Sequence, residues 1–164
     1  MTDSEQRIAA LERRLSLLED ERAVTRLITS YGPLVDSGQS AAVGQIWHDD
    51  GVYDVDGWLM QGRPEIEAMV ESEAHQRLVR GGCVHLSGPP DVHIDGDQAV
   101  AVCQSLLILH HEGRFVLYRA GANHWLLHRK NGEWRVSVRT TRALDGSAEA
   151  RRLFQVAARQ AGAD

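Results

Sequence analysis

Arg80-Gly-Gly-Cys-Val-His-Leu-Ser-Gly-Pro-Pro90 is the stretch where the hydrophobic pattern of this chain changes period. Before it, apolar residues recur every three or four positions, as on one face of a helix. After it they fall in strand-length runs separated by turn residues. Gly88-Pro-Pro90, Asp95-Gly96, Glu112-Gly113 and Asn131-Gly132 are the punctuation of an antiparallel meander. Four strands are predicted there: Cys83–Ser87 extended through Val92–Ile94, Gln98–His110, Arg114–Arg129 and Trp134–Leu144, each long enough to curl. An Asp145-Gly-Ser147 turn then releases a last helix, from Ala148 to Ala161.

Working back from the switch, the chain reads as helices around one short hairpin. Ile8, Leu11, Leu15 and Leu18 follow a 3-4-3 spacing, and Val24, Leu27 and Ile28 carry the stripe on to Tyr31. Residues 4–31 therefore read as one long amphipathic helix, with Thr2-x-x-Glu5 as its capping box. Its first four turns are rich in Glu and Arg, a composition that suits pairing with a second chain as well as packing on the body. Pro33 is expected to disturb the helix and Gly38 to stop the segment. Ala41 to Trp47 makes a second helix, ended by His48-Asp-Asp-Gly51. Val52 to Met60 makes a hairpin turning at Asp56-Gly57, and Gly62-Arg-Pro64 opens a third helix that ends near Gly81-Gly82. A curved antiparallel sheet wrapped around packed helices is an α+β cone, with an apolar mouth suited to one small ligand. No repeat or linker divides the 164 residues, so residues 1–164 read as a single domain.

Composition narrows the function classes. Hydrophobic residues make up 43% and charged residues 25%, as in a globular protein with a substantial core. The formal net charge of −5 leaves no broad basic face, which argues against nucleic acid as a partner. No apolar run reaches the roughly 20 residues of a membrane span, and the polar start Met1-Thr-Asp-Ser-Glu is unlike a signal peptide, so a cytoplasmic protein without membrane contact is expected. Cys83 and Cys103 lie in apolar runs without CxxC spacing and read as buried thiols.

Three side chains have the chemistry of an acid/base set. As a histidine, His85 can take a proton, the Asp36 carboxylate can fix its tautomer, and the Tyr31 phenol can donate to developing oxyanion charge. Each also has a structural reading: a core histidine bonded to a carbonyl, a turn aspartate in Asp36-Ser-Gly, and a core aromatic. His110-His111 precede a hairpin turn, where solvated residues are common, and no HExxH or Cys/His cluster suggests a metal. Arg119, Arg139 and Arg142 suit either an anionic substrate or the outer sheet face. Arg139 and Arg142 have opposite strand parity, so at most one of them points inward. Trp47, Trp58, Trp125, Trp134 and Tyr53 supply core or pocket wall. Nucleotide-binding and serine-hydrolase motifs are missing from the sequence.

The element order, with Tyr31-Gly-Pro-Leu-Val-Asp36-Ser-Gly, Ile46-Trp-His-Asp-Asp-Gly-Val-Tyr-Asp54, Gly62-Arg-Pro-Glu-Ile66 and His85, resembles the SnoaL-like branch of the nuclear transport factor 2-like superfamily. Scytalone dehydratase, bile acid 7α-dehydratase, hexachlorocyclohexane dehydrochlorinase and the SnoaL polyketide cyclases belong to that branch. The resemblance implies that His85 is the pocket base, Asp36 its partner and Tyr31 the tyrosine beside it. It implies that Asn123 contacts substrate, with Gly121 in place of a serine, and that either His110 or Leu109 matches a second pocket histidine. The last strand is also similar to ring-hydroxylating dioxygenase β subunits, which share this fold without the metal chemistry.

Two functions are therefore expected to compete. One is a cofactor-independent lyase or isomerase acting on a small apolar ring compound such as a polyketide, steroid or aromatic metabolite. Its set would be His85, Asp36 and Tyr31, with Asn123, Tyr53, His110, Trp58 and Arg139 binding substrate, no metal and no cofactor. The other is a non-catalytic ligand carrier or assembly module, for which the cone would be filled or the trio apart. An epoxide hydrolase on this fold is disfavoured because no Asp-Arg-Asp arrangement accompanies the Asp and His. A homodimer or higher homo-oligomer is expected in either case.

Overall fold

The computed structural model describes residues 2–160. Helix α1 (Asp3–Asp36) begins at the expected capping box: the Thr2 amide donates to Glu5 Oε2 (2.6 Å) and the Glu5 amide to Thr2 Oγ1 (3.3 Å). It runs five residues beyond the expected end and carries Pro33 in its last turn. Gly32 before the proline has no Cβ to clash with the ring, and near a helix end only one ladder bond is lost. After α2 (Ser40–Gln45) comes β1 (Trp47–Val55), so Trp47 opens a strand instead of closing a helix. It does so by pairing parallel with β7 at Val136, across a register shift before Val52 that no local pattern announces. β2 (Trp58–Gln61) completes the hairpin.

The expected third helix is two helices, α3 (Arg63–Glu71) and α4 (Glu73–Gly81). Ser72 between them is extended (ψ 144°), and its hydroxyl accepts from the His75 amide at 3.2 Å. A serine able to cap a new helix breaks the old one. The meander follows as β3 (Cys83–Ser87), β4 (Asp91–Asp95), β5 (Gln98–His111), β6 (Arg114–Lys130) and β7 (Glu133–Ala143). β3 and β4 both pair with β5, separated at Gly88-Pro-Pro90. α5 (Ala148–Gln160) packs back on the sheet; the expected helix end at residue 161 lies outside the described residues.

The curved, unclosed sheet has the order β2-β1-β7-β6-β5-β3 and is antiparallel except at the β1/β7 pair. Val24, Ile28, Tyr31 and Val35 form the buried stripe of α1, packed with Trp47, Trp125, Leu127 and Val136 of the sheet. That stripe places the end of α1 against β3, where Asp36 meets His85 and Tyr31 lines the same cavity.

Candidate active site

One glycine decides how closely helix and strand meet. A Cβ at Gly32 would lie 2.0 Å from the His85 carbonyl oxygen, so only glycine lets β3 rest directly on the last turns of α1. Asp36, one turn on, thereby reaches His85 twice. Its Oδ2 accepts from the His85 amide (2.8 Å), and its Oδ1 lies 2.6 Å from His85 Nδ1. The Cys83 thiol donates to the same Oδ1 at 3.4 Å. Gly32→Ala is expected to destabilise the fold, at the upper end of the roughly 1–3 kcal/mol typical of overpacking, and to part Asp36 from His85. Chemical denaturation checks this; an unchanged midpoint would contradict the close contact.

Burial raises the pKa of the Asp36 carboxyl. The side-chain and backbone hydrogen bonds from His85, the charge of its imidazolium and the Cys83 thiol outweigh burial and hold the carboxyl below its usual range. Asp54 is also lowered, first by its hydrogen bonds from Arg142 (2.8 and 2.6 Å). For such groups the stabilisation is fully present above the unfolded pKa of about 4 and is lost as pH falls through the lower folded value. The unfolding temperature should therefore drop below about pH 4, and more shallowly in Asp36→Asn. An equally steep acid limb in that variant would refute the assignment to Asp36. Cys83 is pushed up to about 11 by burial and by the Asp36 charge, so it remains a thiol. The ligand-type atoms of Asp36, Cys83 and His85 converge within 4.8 Å, with the thiol and the imidazole both hydrogen-bonded to the Asp36 carboxylate.

Above this cluster lies a cavity of about 230 Å³. Its polar lining includes Tyr31, Tyr53, His85, Ser105, Arg119, Arg139 and Thr141, and its apolar wall includes Met60, Met69, Leu78 and Leu107. Trp58, 58% exposed, stands at the rim. Arg139 is 3% exposed, with its guanidinium carbon 4.1 Å from the Tyr31 ring centre, 4.6 Å from Tyr53 and 4.1 Å from Trp125. Nε and Nη2 donate to Asn123 Oδ1 (3.2 and 2.9 Å), whereas Nη1 has no partner among the described residues. Arg142 has the opposite parity and pairs with Asp54 and Glu149. The Tyr31 phenol is pushed upward in pKa by burial and by Tyr53, against a smaller opposing effect of Arg139, and stays protonated.

Two expected substrate contacts lie elsewhere. Asn123 is fully buried and outside the cavity lining. Its amide donates to Ser105 Oγ (2.9 Å), and its Oδ1 accepts from Arg139 and from the Thr141 hydroxyl (2.8 Å). It is a support beneath Arg139. His110 is exposed, its ring 5.3 Å from Phe115 at the end of the β5/β6 hairpin. His85 pairs with Leu107 and Cys83 with Leu109, so His110 has the parity of the opposite face, and Leu109 is also outside the lining. Sequence reading missed Thr141 and Ser105, although the period of two from Arg139 could have found Thr141. It also missed His75, whose Nε2–H donates to the Val35 carbonyl (3.0 Å) and whose ring lies 5.6 Å from that of His85.

A cone whose sheet leaves one end open to such a cavity defines the nuclear transport factor 2-like, or cystatin-like, class of α+β proteins. Residues 16–140 match the SnoaL-like domain family, and the chain belongs to that family. It is similar to a nuclear transport factor 2-like protein of cystatin-like fold from Novosphingobium aromaticivorans, with 41% identity and a TM-score of 0.87 over 88% of this chain and 95% of that one. At the level of fold it is also similar to a candidate scytalone dehydratase from the same organism (17% identity, TM-score 0.66, 77% and 85% covered). The corresponding values for LinA are 19% and 0.67, with 79% and 89% covered. No curated protein matches the chain. Among the described residues no helix is long and apolar enough to cross a membrane.

Proposed function

We propose that this protein is a cofactor-independent lyase or isomerase that abstracts a proton beside a carbonyl or leaving group of a small cyclic oxygenated metabolite. The observation that carries the reading is the Asp36–His85 hydrogen bond on the wall of a largely apolar cavity. With Asp36 ionised, Nδ1 keeps its proton for the carboxylate, and Nε2 is the basic nitrogen left for substrate. The imidazolium formed on proton transfer is stabilised by the same carboxylate.

Electron density released from the C–H bond moves onto the neighbouring oxygen or expels the leaving group. Arg139 lines the cavity and its Nη1 has no protein partner, so its guanidinium is the donor assigned to such an oxygen, with the protonated Tyr31 phenol in the same lining. Asn123 keeps the guanidinium in place, and Tyr53, Trp58 and the Met60/Met69 wall take the ring of the substrate. The similarity to a candidate scytalone dehydratase supports elimination of water as one form of this reaction.

Cyclic ketones and β-hydroxy ketones incubated with the protein in D2O test the reading. Deuterium should enter next to the carbonyl, or an enone should form, at a rate proportional to protein concentration. If neither occurs for any compound that binds the cavity, the protein is a ligand carrier instead.

A further inference from the structure

The first turns of α1 carry an apolar stripe that the chain itself does not cover. Ile8 (55% exposed), Leu11 (61%), Leu15 (56%) and Leu18 (62%) face solvent on a well-formed helix. Just beyond the stripe, on its opposite side, the helix is tied to the body. Asp20 accepts from Arg129 Nη1 (2.7 and 2.8 Å) and from the Trp134 indole (2.8 Å). The stripe begins before residue 16, where the match to the SnoaL-like domain family starts.

The charges beside the stripe specify what covers it. With Ile8 and Leu15 at heptad position a and Leu11 and Leu18 at d, Arg7 and Arg14 occupy g, and Glu12 and Glu19 occupy e. In a parallel two-stranded coil each g residue faces the e residue five positions on in the other strand. Arg7 then meets Glu12 of the second copy, and Arg14 meets Glu19. In an antiparallel coil g faces g and e faces e, which opposes Arg to Arg and Glu to Glu. None of these four side chains is in an ion pair among the described residues. The pattern stops at Arg22 and Thr25, the next a and d positions, just where Val24 and Ile28 turn into the chain's own core.

We infer that two copies of this chain associate through a short parallel coiled coil of residues 7–19, with the two cones on the outer sides of the helix pair. Two heptads alone would be marginal, but these turns extend a 34-residue helix whose far end is already fixed, so no helix nucleation is needed. The dimer is correspondingly weak, and charge sets its orientation.

Sedimentation equilibrium of the full chain from about 1 to 100 µM tests this. The wild type should be a dimer that dissociates on dilution. Leu11→Glu/Leu15→Glu should be a monomer with unchanged circular dichroism and cavity binding. Arg7→Glu/Arg14→Glu, which sets Glu against Glu, should weaken the dimer at least ~10-fold. Adding Glu12→Arg and Glu19→Arg should restore it by reversing every pair. A wild-type monomer throughout this range, a dimer indifferent to the stripe, or a charge reversal that the second pair of substitutions does not rescue would each overturn the proposal. A dimer indifferent to the stripe would place the contact on the cone, and a dimer that Arg7→Glu/Arg14→Glu does not weaken would also overturn the proposal and make the coil antiparallel, where every facing pair stays like-charged.

Discussion

Replacing His85 with alanine is expected to lower turnover by at least ~100-fold, within the roughly 100- to 10,000-fold that general acid/base groups contribute, while the cone stays folded. The fold should survive because the His85 backbone makes the contacts that hold β3: its amide donates to Asp36 and its carbonyl lies against Gly32. The ring is half-buried, so its loss leaves water access to the Asp36 carboxylate instead of a sealed, unpaired charge. Deuterium incorporation into a cyclic ketone is the direct readout, since it reports proton transfer whatever the later fate of the enolate. Asp36→Asn should also be slow, because an amide can stabilise neither the Nδ1–H tautomer nor the imidazolium as a carboxylate does. Full exchange activity in His85→Ala would end the dyad mechanism and leave Tyr31 as the group to examine.

Replacing Arg139 with methionine is expected to reduce kcat/KM by roughly 100- to 1,000-fold, the loss seen when one preorganised oxyanion donor is removed. Methionine keeps much of the packing between Tyr31, Tyr53 and Trp125 but removes the free Nη1 and both bonds to Asn123. The partition between kcat and KM carries the mechanism. A donor that meets charge only in the transition state lowers kcat, whereas one that anchors an existing anion raises KM. Arg139→Lys should restore little, since a lysine cannot keep the guanidinium's two bonds to Asn123 Oδ1 and leave a further donor free in the same plane. Kinetics equal to wild type for the methionine variant would show that Nη1 does not face substrate.

Much of this architecture is written locally. The change of period at residue 82, the Asx-Gly turns and the Thr2/Glu5 box each act over a few residues, so the order of helices and strands and the cone class follow from them. One exception is a place where a distant element outweighs the local pattern. Trp47 enters β1 because β7 offers it a partner. The break at Ser72 is different, since a serine cap signal was present inside an apparently continuous helical stripe.

The site divides in the same way. Tyr31, Asp36 and His85 could be singled out by residue type and family pattern, and strand parity limited Arg139 and Arg142 to one inward guanidinium. Only the packed structure decides that the inward one is Arg139 and that Asn123 lies beneath it, because both depend on β6 and β7 pairing in a particular register. Only packing decides that His110 faces away from the cavity and that Asp36 lies 2.6 Å from His85. The sequence by itself determined the elements, the cone and the chemical types near its mouth, since these follow from short-range periodicity and turn chemistry. Tertiary structure alone decided which of those groups meet, because the meeting depends on Gly32 letting a strand lie against a helix more than fifty residues earlier in the chain.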